Sequence, residues 1–122
     1  MTELTPRHKA EAIVKVLDDK KAGHIVALDV AKHTTLADYF VIASANSSSH
    51  IKALADETEK KMMEDYEEQV LKVEGYNSAN WILMDFGNVV VHLFTRDTRD
   101  FYQIERLWAD AISLDISKII KP

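Results

Sequence analysis

Trp81-Ile-Leu-Met-Asp85-Phe-Gly87-Asn88-Val89-Val-Val-His92-Leu-Phe94-Thr95 is the stretch that decides the fold. Two β-rich runs flank Gly87-Asn88, a pair suited to a two-residue hairpin turn because glycine supplies the positive φ of its first position. With that turn, pairing follows by counting outward. Phe86 opposes Val89, Asp85 opposes Val90, Met84 opposes Val91, Leu83 opposes His92, Ile82 opposes Leu93 and Trp81 opposes Phe94. Opposed residues share a face, and faces alternate along each strand. One face is then Ile82, Met84, Phe86, Val89, Val91 and Leu93, wholly apolar, which predicts a core. The other is Trp81, Leu83, Asp85, Val90, His92 and Phe94. That mixture of aromatic, aliphatic and ionisable groups is unusual for a plain solvent face and too polar for a second sealed core.

Upstream, Thr5 is placed to cap a helix with Pro6 at its first position, where a missing N–H costs nothing. Ala10, Ile13, Val16 and Leu17 give that helix one apolar stripe, and Gly23 is placed to end it. His24 to Val30 reads as a strand, residues 31–38 as a connection, and Tyr39 to Ala43, apolar on both faces, as a central strand. Asn46 to Ser49 are four cap-forming residues before a second helix marked by Ile51, Leu54, Ala55, Thr58 and Met62 and reaching Tyr66. Gln69 to Glu74 reads as a further strand closed by Gly75, and residues 77–80 as a turn.

Beyond the hairpin, Asp97 is the expected cap of a third helix, with Asp100 in its first turn and Phe101, Ile104, Leu107 or Trp108, and Ala111 on its apolar side. From Ile112 onward the periodicity is ambiguous. The pattern predicts an α/β fold with residues 1–122 forming one domain and the residues after Asp110 a C-terminal tail.

Composition narrows the chemistry. Zero cysteines in 122 residues exclude a disulfide scaffold, a thiolate nucleophile and Cys-ligated metal. No apolar run approaches the roughly 20 residues that span a bilayer, and the first residues lack the order of a secretory signal. Together these predict a soluble, cytoplasmic protein. A formal charge of −5 gives no general pull on nucleic acid, so a basic protein is the better-matched partner. Acid is densest from Asp56 to Glu74, which reads first as a solvated helix face and second as a steering patch for a basic partner.

Motif searches for catalysis find little. The five histidines, at positions 8, 24, 33, 50 and 92, include no His-x-His or His-x-x-x-His pair. Ser47, Ser48 and Ser49 beside His50 suggest a nucleophile and base, but the Gly-x-Ser-x-Gly elbow is absent and consecutive serines before a helix are more often caps. A strand, a Ser-rich turn and a helix start can cradle phosphate, yet the glycines and lysine of a P-loop are missing. Asp29 and Asp38 lie near strand ends where a small nucleotidyl or phosphoryl transferase would hold magnesium, without the Asp-x-Asp pair such chemistry favours. Asp85 and His92 lie diagonally on the mixed hairpin face, and a structural or interface hydrogen bond is a more economical role for them than acid–base catalysis. Trp81 and Phe94 have two open readings: anchors for another protein, or core beneath the third helix or the tail.

Taken together, Asp38-Tyr-Phe-Val-Ile-Ala43, Ser47-Ser48 with His50-Ile-Lys-Ala53, Glu74-Gly75, Trp81-Ile-Leu-Met-Asp85-Phe-Gly87, Val89-Val-Val-His92 and Phe101-Tyr102-x-x-Glu105-x-Leu107-Trp108 resemble the Iojap or ribosomal silencing factor family over nearly the whole chain. Ala45, Asn46, Ser49 and Asn88 depart from its usual residues, though Asn46 still suits a cap and Asn88 a turn. The resemblance implies a mixed sheet of about five strands with helices mainly on one face, like nucleotidyltransferases without their catalytic carboxylates. It implies no enzymatic activity, cofactor or metal. The implied partner is the large ribosomal subunit, bound through large-subunit ribosomal protein fourteen, so that joining of the small subunit is blocked and translation falls in slow growth or starvation. A role in large-subunit assembly and a homodimer in the free state are also implied. On that basis Trp81, Leu83 and Phe94 are expected anchors, Asp85 and His92 expected polar contacts, and Tyr102 and Trp108 an extension or brace of the same surface.

Overall fold

The computed structural model describes residues 4–120. The elements in chain order are α1 (Pro6–Asp19), β1 (Gly23–Asp29), β2 (Tyr39–Ala45), α2 (Ser48–Tyr66), β3 (Lys72–Glu74), β4 (Trp81–Asp85), β5 (Val89–Thr95), α3 (Arg96–Tyr102), α4 (Ile104–Leu107) and β6 (Ile112–Ser113). They build an α/β fold around one six-stranded mixed sheet in the order β3-β4-β5-β2-β1-β6. Among the described residues, β2 and β5 at its centre are the only parallel neighbours, and the other pairings are antiparallel.

The hairpin register is the one obtained by counting. Trp81 pairs Phe94, Ile82 pairs Leu93, Leu83 pairs His92, Met84 pairs Val91 and Asp85 pairs Val90. Gly87 takes φ +91, as its turn position requires. The apolar hairpin face joins Val41, Ala43 and Ala45 of β2 in a core closed by Ala10, Ile13, Val14 and Leu17 of α1 and Ile51, Leu54, Ala55 and Met62 of α2. Both helix starts follow from the sequence: Thr5 accepts from the His8 N–H and Ser47 from the His50 N–H. Buried Lys9 ties α1 to the hairpin, its Nζ donating to the Phe86 carbonyl at 3.1 Å and pairing with Glu68 at 3.1 Å.

Several expectations need correction. Gly23 does not end α1; it opens β1. Lys21, with φ 64, takes the left-handed position instead, and the Ala22 N–H bonds the Leu17 carbonyl while the Lys21 N–H bonds that of Asp18. Those two bonds satisfy the Leu17 and Asp18 carbonyls and offset the strain of a non-glycine residue there. The strand expected over Gln69 to Glu74 shrinks to Lys72–Glu74, preceded by a bond from the Leu71 N–H to the Asp85 carbonyl.

Asp97 does not cap the third helix. Strand β5 runs straight into α3, so Thr95 holds the cap position, and Asp97 lies in the first turn. The helix expected through Ala111 breaks at Gln103, which is left-handed with φ 47. The break turns Phe101 and Leu107, expected on the buried side, out to solvent, at 80% and 77% exposure. The sheet has six strands rather than five because Ile112 and Ser113, in the segment read as tail, pair with Asp29 and Leu28. A two-residue strand is too short to carry a periodicity.

The mixed hairpin face also packs more tightly than expected. It joins Leu28, Val30, Phe40, Ile42 and Ile104 in a second core, half-covered by Trp81, Leu83, Trp108 and Ala111. Thus α1 and α2 cover one side of the sheet fully, and the short α3 and α4 cover the other in part. Among the described residues, no helix is long and apolar enough to cross a membrane.

Candidate functional site on the aromatic face

A continuous chain of rings crosses the partly covered side of the sheet. Phe101 meets Tyr102 at 5.0 Å between ring centroids, and Tyr102 meets Trp81 at 5.1 Å. Trp81 lies 5.0 Å from Phe94 and 6.0 Å from His92. His92 then meets Phe40 edge-on at 4.9 Å, and Phe40 meets Trp108 edge-on at 5.0 Å. Alternation along β4 and β5 and the approach of α3 and α4 over the sheet bring these rings together; edge-on and offset contacts are their favoured arrangement.

The depth of each ring assigns its part. Phe94, expected as an anchor, has 0% of its surface exposed, because Trp81 lies across it and both flanking strands pack beside it. It supports the face from below rather than contacting anything above it. Trp81, Leu83 and Trp108 are half-buried, and Tyr102 is 53% exposed. The outermost rings are therefore Tyr102 and Phe101, with Trp81 at the centre. Phe101 was missed by sequence reasoning because an unbroken helix would have turned it inward. Phe40 was missed because its strand is apolar on both faces.

His92 is buried, and its Nδ1 accepts a hydrogen bond from the Trp81 indole Nε1–H at 3.2 Å. That geometry assigns the proton of the neutral ring to Nε2, which is sealed without a hydrogen-bond partner. Burial pushes the His92 pKa down to about 4, so the ring is neutral at pH 7. Asp85 does not reach it. The Asp85 carboxylate accepts from the Gly87 N–H at 2.7 Å and braces the turn, so the acid–base pair imagined for the two residues is not assembled.

The other chemical candidates separate similarly. The His50 ring accepts from the Asn46 N–H at 3.0 Å and lies 2.9 Å from the Lys20 carbonyl, so it joins the start of α2 to the end of α1 instead of activating a serine. Asp29 accepts from the Ala31 N–H at 3.2 Å in a local turn. Among the described residues, no three His, Cys, Asp or Glu side chains gather as a metal site would require. The acid of α2 lies in the layer on the opposite side of the sheet from the rings, so it does not border the aromatic face.

Comparison with known proteins agrees with this architecture. The family model described as "Ribosomal silencing factor during starvation" matches residues 3–122. The ribosomal silencing factor RsfS of Bacillus subtilis is 43% identical over 99 residues, covering 81% of this chain and 83% of that protein. The mouse protein named mitochondrial assembly of ribosomal large subunit protein 1 is 32% identical over 100 residues, covering 80% of this chain and 44% of that longer protein. A crystal structure of a Chromobacterium violaceum protein superposes with a TM-score of 0.83 at 33% identity, covering 86% of this chain and 87% of that one. With a family match across nearly its full length and a fold shared with a relative of known structure, the chain belongs to the ribosomal silencing factor family.

Proposed function

We propose that this protein binds the large ribosomal subunit by seating its aromatic face on large-subunit ribosomal protein fourteen, and that its bulk then keeps the small subunit from joining. Translation is repressed by occupancy in the cytoplasm, and no bond is made or broken. The observation that carries this is the run of exposed and half-buried rings, Phe101, Tyr102 and Trp81, on a chain of net charge −5. Large amphipathic rings at the centre of such a patch are the usual anchors of a protein interface. An acidic chain suits a basic ribosomal protein better than it suits bare RNA. Trp81, Leu83 and Tyr102 make the contact, Trp108 braces it, Phe94 and His92 support it from beneath, and Asp85 holds the adjoining turn with one oxygen free for a basic group. In the free state a second copy shields the same rings as a homodimer.

The test is co-sedimentation of the purified protein with separated ribosomal subunits. The protein should pellet with the large subunit and prevent its association with the small one. Trp81→Ala and Tyr102→Ala should each weaken binding by about tenfold or more, the loss expected of a central anchor. Undiminished binding by both variants overturns the assignment of this face. A second reading, a factor for large-subunit assembly, is favoured by the name of the mouse relative. It predicts co-purification with immature large-subunit particles in preference to mature ones.

A further inference from the structure

A second feature adjoins the aromatic face, with Ser44 beside Phe94 in the sheet and α3 shared between the two. The carboxyl ends of the parallel strands β2 and β5 adjoin, and the helices that follow them leave to opposite sides of the sheet, α2 to one and α3 to the other. A crevice opens where neighbouring parallel strands diverge in this way, and in open α/β sheets it is the usual seat of small ligands. Here it is a cleft of about 590 Å³ lined by His24, Ser44, Arg96, Arg99, Gln103 and Arg106, with Asp100 and Glu105 at its wall. Its volume falls within the range of small-molecule sites.

The lining is not a random sample of the surface. The chain has four arginines, and three of them converge here. Arg96, Arg99, Asp100 and Gln103 recur at helical spacing on one side of α3, and the break at Gln103 folds Arg106 of α4 back towards them.

Arg99 is 8% exposed and held rigidly, with Nη1 donating to the Ser44 hydroxyl at 2.8 Å and Nε to Glu105 at 2.8 Å. Its third nitrogen, Nη2, has no protein partner among the described residues and stays in contact with solvent. Arg96 and Arg106 are exposed and carry no ion pair among the described residues. One fixed guanidinium with an open donor and two free ones around it form a receptor for a multiply charged oxyanion. A carboxylate offers two acceptor oxygens and one charge, whereas a terminal phosphate offers three and up to two charges, which matches one fixed open donor and two free forks.

We propose that this cleft binds the phosphate group of a small phosphorylated ligand of nucleotide size. A small ligand is favoured over RNA because the net charge of −5 and the two carboxylates at the wall confine the positive field to the cleft, where an extended polyanion gains little. Arg99 is the fixed contact, Arg96 and Arg106 are the exposed ones, and His24 lines the same cavity to meet the rest of the molecule.

The full-length protein tests this by two-dimensional NMR titration and thermal shift with pyrophosphate, AMP and ADP, with sodium chloride at matched ionic strength as control. The expected result is saturable shifts confined to the cleft residues of β1, β2, α3 and α4, together with a rise in Tm. Arg96→Gln combined with Arg106→Gln should weaken the affinity at least about tenfold, as loss of two charge-assisted contacts implies, while leaving the ligand-free Tm unchanged. Three results overturn the proposal: no saturable response up to about 10 mM, a concentration above the Kd of even a weak specific site; an equal response in the double variant, meaning an adventitious ion only; or a twelve-nucleotide single-stranded RNA binding more tightly than ADP through the same arginines, which assigns the cleft to nucleic acid.

Discussion

Lowering the pH should destabilise this protein through one buried ring. His92 accepts from Trp81 through Nδ1 and buries Nε2 without a partner. Desolvation holds its pKa near 4, against an ordinary value of 6.5. Between those values the unfolded chain binds a proton that the folded chain refuses, so acid stabilises the unfolded state. The contribution is intact above pH 6.5 and is lost as pH falls towards 4. Each decade of proton affinity is worth about 1.4 kcal/mol, so roughly two and a half decades amount to about 3 kcal/mol, a large share of a small domain's stability. Urea unfolding followed by tryptophan fluorescence, from neutral pH to about pH 4, should be compared between the wild type and His92→Leu. The variant cannot titrate at this position, and it retains every other acid-sensitive group, so the difference between the two curves isolates the ring. The wild type should lose about 3 kcal/mol relative to the variant across that interval. Parallel curves would refute a neutral, desolvated histidine under the aromatic face.

Other outcomes follow from the same contacts. Gly75 has φ +80, and a Cβ there would lie 2.1 Å from the Trp81 carbonyl oxygen, so Gly75→Ala should cost about 2 kcal/mol or more and shift the Trp81 fluorescence. Val91→Ala, in the sealed core, should cost about 2 kcal/mol of folding stability in chemical denaturation, whereas Tyr102→Ala should cost about 1 kcal/mol or less and act on ribosomal-subunit binding instead. Phe94→Ala should resemble Val91→Ala in unfolding, at about 3 kcal/mol or more, because the ring is wholly buried. Lys9→Ala leaves the Phe86 carbonyl without its partner and should lower stability by about 2 kcal/mol, read from the urea midpoint.

The hairpin was legible because three local signals agree in it: a glycine turn, β-branched runs and a strict alternation that only one register satisfies. The two long helices were legible for a similar reason, since each has a capping hydroxyl and an apolar stripe over several turns. The segment after Thr95 was not, because its periodicity continues through Gln103 while the chain does not. The left-handed residue there is set by packing of Ile104 and the Arg99–Glu105 pair, neither of which spacing alone can foretell. The same break decides the site. It exposes Phe101 and Leu107, which periodicity assigned to the interior, and it closes the arginine cleft. Trp81 was read from its residue type on the mixed hairpin face, and Tyr102 and Trp108 from the family resemblance, but the depth of Phe94 and His92 depends on how far short helices cover a sheet, which is a property of the assembled fold.

The outermost strands of the sheet are three and two residues long. A row of open backbone amides that short gives an incoming strand almost nothing to pair with. Fibre-like stacking edge to edge is thereby discouraged, and any lasting association must run through side chains, where shape and charge discriminate among partners. On the proposed function, short sheet edges give the chain selectivity for one surface on a crowded particle.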